Sequence, residues 1–137
     1  MPQDTRDKVV NALIELAEQN PEKSYFTFSE IAKQAGLSRQ AIYKKHFSNV
    51  EEIIEYIRQS IMAPFIPLYE SYAEGSKENP LIFFAQHMIP AIYEHRQWMK
   101  VLYTTAIDPF WREYISSFFT QWVKDNLDID AKKMGIP

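Results

Sequence analysis

The chain has no cysteine and only three glycines in 137 residues. Without thiols, a disulfide scaffold, a zinc finger, an iron–sulfur site and a cysteine nucleophile are excluded. No stretch alternates apolar and polar residues over the length of a strand, so an all-α fold is expected. Long apolar runs are missing as well. The longest stretch without Asp, Glu, Lys or Arg, Asn79 to Tyr93, contains Pro80, Gln86, His87 and Pro90 and is too short to span a bilayer. Met1-Pro2-Gln3-Asp4 opens directly in polar sequence, with no signal-peptide pattern. The expectation is a cytoplasmic protein with no membrane partner. Catalytic signatures are equally scarce: there is no phosphate-binding glycine loop, His-Glu-x-x-His or Gly-x-Ser-x-Gly. His46, His87 and His95 do not fall at metal-ligand spacing. No catalytic residue, metal or cofactor is expected, and the chain is not read as an enzyme.

What is present is unevenly placed. Fifteen Lys+Arg against eighteen Asp+Glu leave a net charge of −3, which by itself argues against a polyanionic partner. Yet Ile31 to Val50 contains no acid while carrying Lys33, Arg39, Lys44 and Lys45, with His46 beside them. The acids stand on either side, at Glu15, Glu18, Glu22 and Glu30 before it and Glu51, Glu52 and Glu55 after it. Aromatics are uneven too, with fourteen of twenty beyond residue 61.

Helix signals are explicit around the basic block. A first helix is expected from Thr5 to Gln19, with Val9, Val10, Leu13, Leu16 and Ala17 on one face and Asn20-Pro21 as its stop. Thr27-Phe28-Ser29-Glu30 is a capping box, flanked by Phe26 and Ile31 at staple positions. Gly36 is placed to end that second helix in the left-handed conformation, and Ser38 to cap a third, basic helix from Arg39 to His46. Ser48 with Glu51, or Asn49 with Glu52, opens a fourth helix lined by Val50, Ile53, Ile54, Ile57 and Ile61. Two short helices joined by a tight glycine turn, the second carrying the basic residues, form a helix-turn-helix. Ile31, Ala32, Ala35, Leu37 and Ile42 would fill the angle between them. Ser38, Arg39, Gln40, Tyr43 and Lys44 are candidate base contacts in a major groove, where Arg suits guanine and Gln suits adenine. Lys44, Lys45 and the amide end of the second helix at Thr27 suit phosphates.

Ile31-Ala32, Ala35-Gly36-Leu37-Ser38, Ile42-Tyr43 and His46-Phe47, followed by Glu51-Glu52, resemble the tetracycline-repressor (TetR) family of bacterial transcription regulators. The resemblance implies that Thr27, Arg39, Gln40, Tyr43, Lys44 and His46 lie in the neighbourhood used against DNA. Three positions depart from the family pattern. Gln40-Ala41 stands where Gly-Thr is usual, one extra residue separates Tyr43 from His46-Phe47, and Val50 replaces a common lysine. Which of Lys44, Lys45 and His46 faces DNA is left open. A single basic helix binds weakly, so a homodimer on a pseudo-palindromic, double-stranded operator is expected.

The second half is read as a helical ligand-binding and dimerisation domain. A helix over Pro80 to Glu94 is apolar almost all round and is expected to be central. Pro90 should kink it. Further helices are expected from His95 to Thr105 and from Pro109 to Asn126, after a loop from Gly75 to Pro80. Tyr69, His87, Tyr93, Trp98, Tyr103 and Trp111 are candidate ligand-binding residues for a small-molecule inducer, since such pockets are mostly apolar with sparse polar groups. The expected organisation is a DNA-binding domain over 1–48, a connecting helix over 49–67 and a regulatory domain over 68–137. The ending Lys132-Lys133-Met134-Gly135-Ile136-Pro137 suggests a regulatory domain cut short. The expected activity is ligand-responsive transcriptional regulation, as a repressor; the alternative is a helical protein-interaction module without sequence-specific DNA binding.

Overall fold

The computed structural model describes residues 5–45, 47–73 and 78–133, and the side chains of all of these except 45, 73 and 126–133. Every regular element among them is helical: α1 (Thr5–Gln19), α2 (Phe28–Ala35), α3 (Arg39–Lys45), α4 (Val50–Met62), α5 (Phe65–Ala73), α6 (Pro80–Phe83), a π-helical turn (Phe84–Met88), α7 (Ile89–Glu94), α8 (Arg96–Thr104) and α9 (Trp111–Lys133). The expected all-α class is what the chain adopts. The chain divides into two compact units, one made of residues up to Ile61 together with Gln97–Pro109, the other of Met62–Arg96 with the residues from Phe110 onward.

In the first unit, α1 buries Val9, Val10, Ala12, Leu13, Ile14 and Ala17, while Leu16 is only half-buried. Asn20 closes α1 with its own side chain, the Nδ2 donating to the Leu16 carbonyl at 3.1 Å. Helix α4 places Val50, Ile53, Ile54, Ile57 and Ile61 on one buried stripe, the spacing of a 3.6-residue period. Its start uses Asn49, whose Oδ1 accepts the Glu52 N–H at 2.9 Å, and the Glu52 carboxylate in turn takes the Ser48 N–H at 2.6 Å. Of the two capping pairs legible in the sequence, it is Asn49 with Glu52 that forms. The segment Gln97–Pro109 joins this unit through backbone and side chain. The Ala106 N–H donates to the Pro21 carbonyl at 2.8 Å, the Trp98 indole to Asn11 at 3.2 Å, and Gln97 to Glu18.

The second unit is built on ring-to-ring packing. Phe65 is fully buried, with Phe118 and Phe119 edge-on at 6.4 and 5.9 Å. Trp122, also buried, lies 5.9 Å from Tyr72 and 5.7 Å from Phe84. Trp111, Phe118, Phe119 and Trp122 recur along α9 at helical spacing, so one stripe of that helix carries these rings. Pro64 and Pro67 separate α4 from α5: α4 ends at Met62, and Pro67 falls in the first turn of α5, where a missing N–H costs nothing.

Over Pro80–Glu94 the structure departs from expectation. Asn79 caps the start by accepting the Leu81 and Ile82 N–H groups at 2.9 and 3.3 Å, with Pro80 in the first turn. The helix then widens into the π turn, in which the Ile89 N–H reaches back to the Phe84 carbonyl. Pro90 follows at once and has no N–H to offer, so the irregularity sits where the α ladder must break anyway. Far from being central, this segment buries Pro80, Phe83, Met88 and Ala91 but leaves Leu81, Ile82, Ile89 and Tyr93 between 48% and 63% exposed. Packing partners cover one face only, and composition that is apolar all round cannot say which face that will be. The expected loop residues Gly75 to Ser76 and Lys77, and the end of the tail from Met134, lie outside the described residues.

Candidate nucleic-acid interface

The hairpin of α2 and α3 is held by short-range hydrogen bonds. The Thr27 Oγ1 accepts the Glu30 N–H at 3.1 Å, and Glu30 Oε1 accepts the Thr27 N–H at 3.2 Å, completing the capping box. Phe26 and Ile31 are both fully buried behind it. Gly36 adopts φ +70°, its N–H and that of Leu37 returning to carbonyls of the last turn of α2, with Leu37 N to Ala32 O at 2.9 Å. A Cβ at Gly36 would meet nothing within 4 Å, so glycine is needed here for the left-handed backbone alone. Ser38 then caps α3, its Oγ accepting the Ala41 N–H at 3.1 Å.

Those constraints fix which face of α3 is buried. Ile42 is fully buried, while Arg39, Gln40, Tyr43 and Lys44 are exposed together at positions i, i+1, i+4 and i+5, one side of the helix. Ser38 is exposed at the head of the same face. Tyr43, 51% exposed, rests its ring edge-on against Phe28 at 4.5 Å, which holds the phenol in place without covering it. At about 1.5 Å per residue, α3 is about 10 Å long, enough to follow about three base pairs of a groove. No acid lies in its first turn. Lys45 continues the helix, but its side chain, and all of His46, lie outside the described residues. Of Lys44, Lys45 and His46, it is Lys44 whose side chain is described, and it is exposed.

At the other end of the hairpin, Thr27 is exposed but already committed to its cap. Lys23, which the linear reading passed over, forms an ion pair with Glu30 at 2.8 Å and lies 4.8 Å from the centre of the Phe26 ring. The Lys23 hydrogen bond, helped by the Thr27 N–H, holds the Glu30 carboxyl below the ordinary glutamate range. The acid at this helix start is thus ionised and paired with Lys23. The residues Lys23 and Glu30 are seven apart across a loop, a spacing with no sequence rule behind it.

The six candidate ligand-binding residues are divided between the units. Trp98 and Tyr103 belong to the first, Trp98 half-buried and bonded to Asn11, Tyr103 45% exposed. Tyr69, His87, Tyr93 and Trp111 belong to the second. Trp111 is a buried core residue, Tyr93 is 62% exposed with Arg96 stacked on its ring, and Tyr69 donates to Asp125, which raises the phenol's pKa. His87 is exposed, its ring tilted at 46° against Phe83 with centroids 4.8 Å apart, and 3.9 Å from the Glu78 carboxylate. Among the described residues no group of three His, Asp or Glu could hold a metal ion, and no helix is long and apolar enough to cross a membrane.

Sequence comparison gives partial matches. The chain is 37% identical over 81 residues to the nucleoid occlusion factor SlmA of two Aliivibrio fischeri strains, MJ11 and ATCC 700601 / ES114, covering 56% of this chain and 41% of the relative. It is also 37% identical over 62 residues to SlmA of Vibrio cholerae serotype O1, covering 42% of this chain and 31% of the relative. The chain thus spans about two-fifths or less of the length of these curated relatives. No family model matches it, and no solved structure matches it significantly.

Proposed function

We propose that this chain is a DNA-binding transcriptional regulator that reads a pseudo-palindromic operator as a homodimer through α2 and α3. One observation carries the reading: Arg39, Gln40, Tyr43 and Lys44 share the exposed face of a rigidly capped helix that has no acid in its first turn. Arg39 and Gln40 supply bidentate donors and acceptors for purine edges, each good pair contributing about 1–3 kcal/mol of discrimination. Lys44, with Lys45 and His46 beyond it, supplies phosphate charge. Three or so base pairs are too few to define a site, and a second copy doubles the sequence read. The likeness to nucleoid occlusion factors fits a chain that handles DNA. The aromatic second unit, with Tyr69, His87, Tyr93 and Trp111, is the proposed seat of a small apolar inducer, and repression is the proposed sign of control.

The test is selection of bound sequences from random duplex DNA by the full chain. An enriched palindrome, lost in the Arg39→Ala, Lys44→Ala double variant, supports the reading; failure to enrich any sequence at low salt overturns it. A second reading, a helical interaction module, is favoured by the exposed Leu81, Ile82, Ile89 and Tyr93. It expects no enriched sequence and indifference to the two substitutions.

A further inference from the structure

Among the described residues Asp108 is the one charged residue that is buried, 2% exposed overall with its side chain at 0%. Its carboxylate accepts a hydrogen bond from Arg58 Nε at 2.6 Å. Arg58, on α4, is three-quarters covered and turns its remaining nitrogens to acids of its own helix, Nη1 to Glu55 at 2.9 Å and Nη2 to Glu51 at 3.4 Å. The guanidinium is held protonated far above any working pH, chiefly by its bond to Asp108. A buried carboxylate is costly unless it is well paired, so this contact has a narrow geometry. It also joins parts of the chain 50 positions apart, α4 and the segment after α8, inside one compact unit.

Helix α4 in turn meets the residue that follows the hairpin. Phe47 is buried and packs edge-on against Tyr56 of α4 at 5.6 Å, and the Phe47 N–H donates to the Ile42 carbonyl of α3 at 3.2 Å. Ile42, Ile53 and Ile57 are all fully buried in the same unit. The register of α4 therefore bears on α3 through Tyr56, Phe47 and Ile42. We propose that Asp108 is a positioning residue for DNA reading: it fixes Arg58, and through α4 it sets the attitude of the exposed face of α3. On this view the reading unit is not contiguous in sequence. It needs Gln97–Pro109, the segment that carries Asp108 to α4 and is anchored at the α1–α2 loop by the backbone bond from the Ala106 N–H to the Pro21 carbonyl. This proposal rests on the DNA-binding reading above.

The test compares the full chain as wild type, Asp108→Asn, Asp108→Glu and Asn11→Ala, the last breaking the Trp98 link without touching α4. Amide hydrogen exchange is followed helix by helix, and affinity is measured for a selected DNA site and for unrelated duplex. Asp108→Asn, nearly isosteric but uncharged, is expected to speed exchange about tenfold in α4 and α3 with α1 unchanged. It should weaken selected-site binding about tenfold while leaving unrelated duplex binding in place, with Asp108→Glu recovering part of both. Asn11→Ala should do neither. Uniform loss of protection across α1, α3 and α4, or none, overturns the proposal. If Asp108→Asn does not fold, Asp108→Glu against Asn11→Ala gives the same comparison. If the wild type selects no sequence, the functional reading fails on its own. Exchange in α3 then still decides whether Asp108 holds that helix.

Discussion

Single residues set the geometry of the hairpin, and two of them make sharp predictions. Gly36 is at φ +70° with open space around it, so Gly36→Ala meets no clash and carries only the cost of a left-handed backbone. That cost is about 1–2 kcal/mol, reduced somewhat by the lower chain entropy of alanine. A loss of about 1 kcal/mol in urea unfolding is expected, and Gly36→Asn should lose less. Glu30 offers a second reading at this scale. Its folded-state pKa is depressed, so its contribution is present above the unfolded-state pKa and fades as pH falls through the folded one. NMR titration should find Glu30 below the ordinary glutamate range, and Lys23→Ala should move it back up. Both residues were half-legible in the sequence. The Thr27–Glu30 spacing marks a cap, but nothing in it reveals that Lys23 closes on the same carboxylate.

Among the helices, boundaries were legible wherever a local hydrogen bond defines them. Thr27, Gly36, Ser38 and Asn49 each act within four residues of themselves: α1 ends just before Asn20, α2 runs between Thr27 and Gly36, and α3 and α4 start just after Ser38 and Asn49. Pro80–Glu94 shows the opposite case. Its side chains are apolar on every side, so periodicity carries no information about which face is covered, and the π turn ahead of Pro90 resets the faces besides. Stability measurements should separate the two faces. Met88→Ala, at a fully buried position, is expected to cost about 2–5 kcal/mol, whereas Leu81→Ser, at 63% exposure, should stay within about 0.5 kcal/mol. Equal effects in thermal denaturation would mean that Leu81 is covered.

For the molecule as a whole, the proposed dimer has a measurable electrostatic signature despite the net charge of −3. If each copy sets Lys44 against a phosphate, the two cations of the dimer contribute about −1.8 to the slope of log affinity against log salt. Lys44→Ala should flatten it by about 1.8 for a dimer if Lys44 meets a phosphate, and leave it unchanged if Lys45 or His46 takes that role. The amino-acid sequence by itself determined the helical class, the capped hairpin and the segregation of basic residues onto α3, because each depends on interactions between residues a few positions apart. Tertiary structure alone decided that Gln97–Pro109 returns to the first unit and that Asp108 is buried against Arg58. It also decided that Trp98 and Tyr103 fall with that unit while Tyr69, His87, Tyr93 and Trp111 fall with the other. Those outcomes depend on which surfaces meet after the chain has folded back, and side-chain spacing along a helix says only that a face exists, not what will cover it.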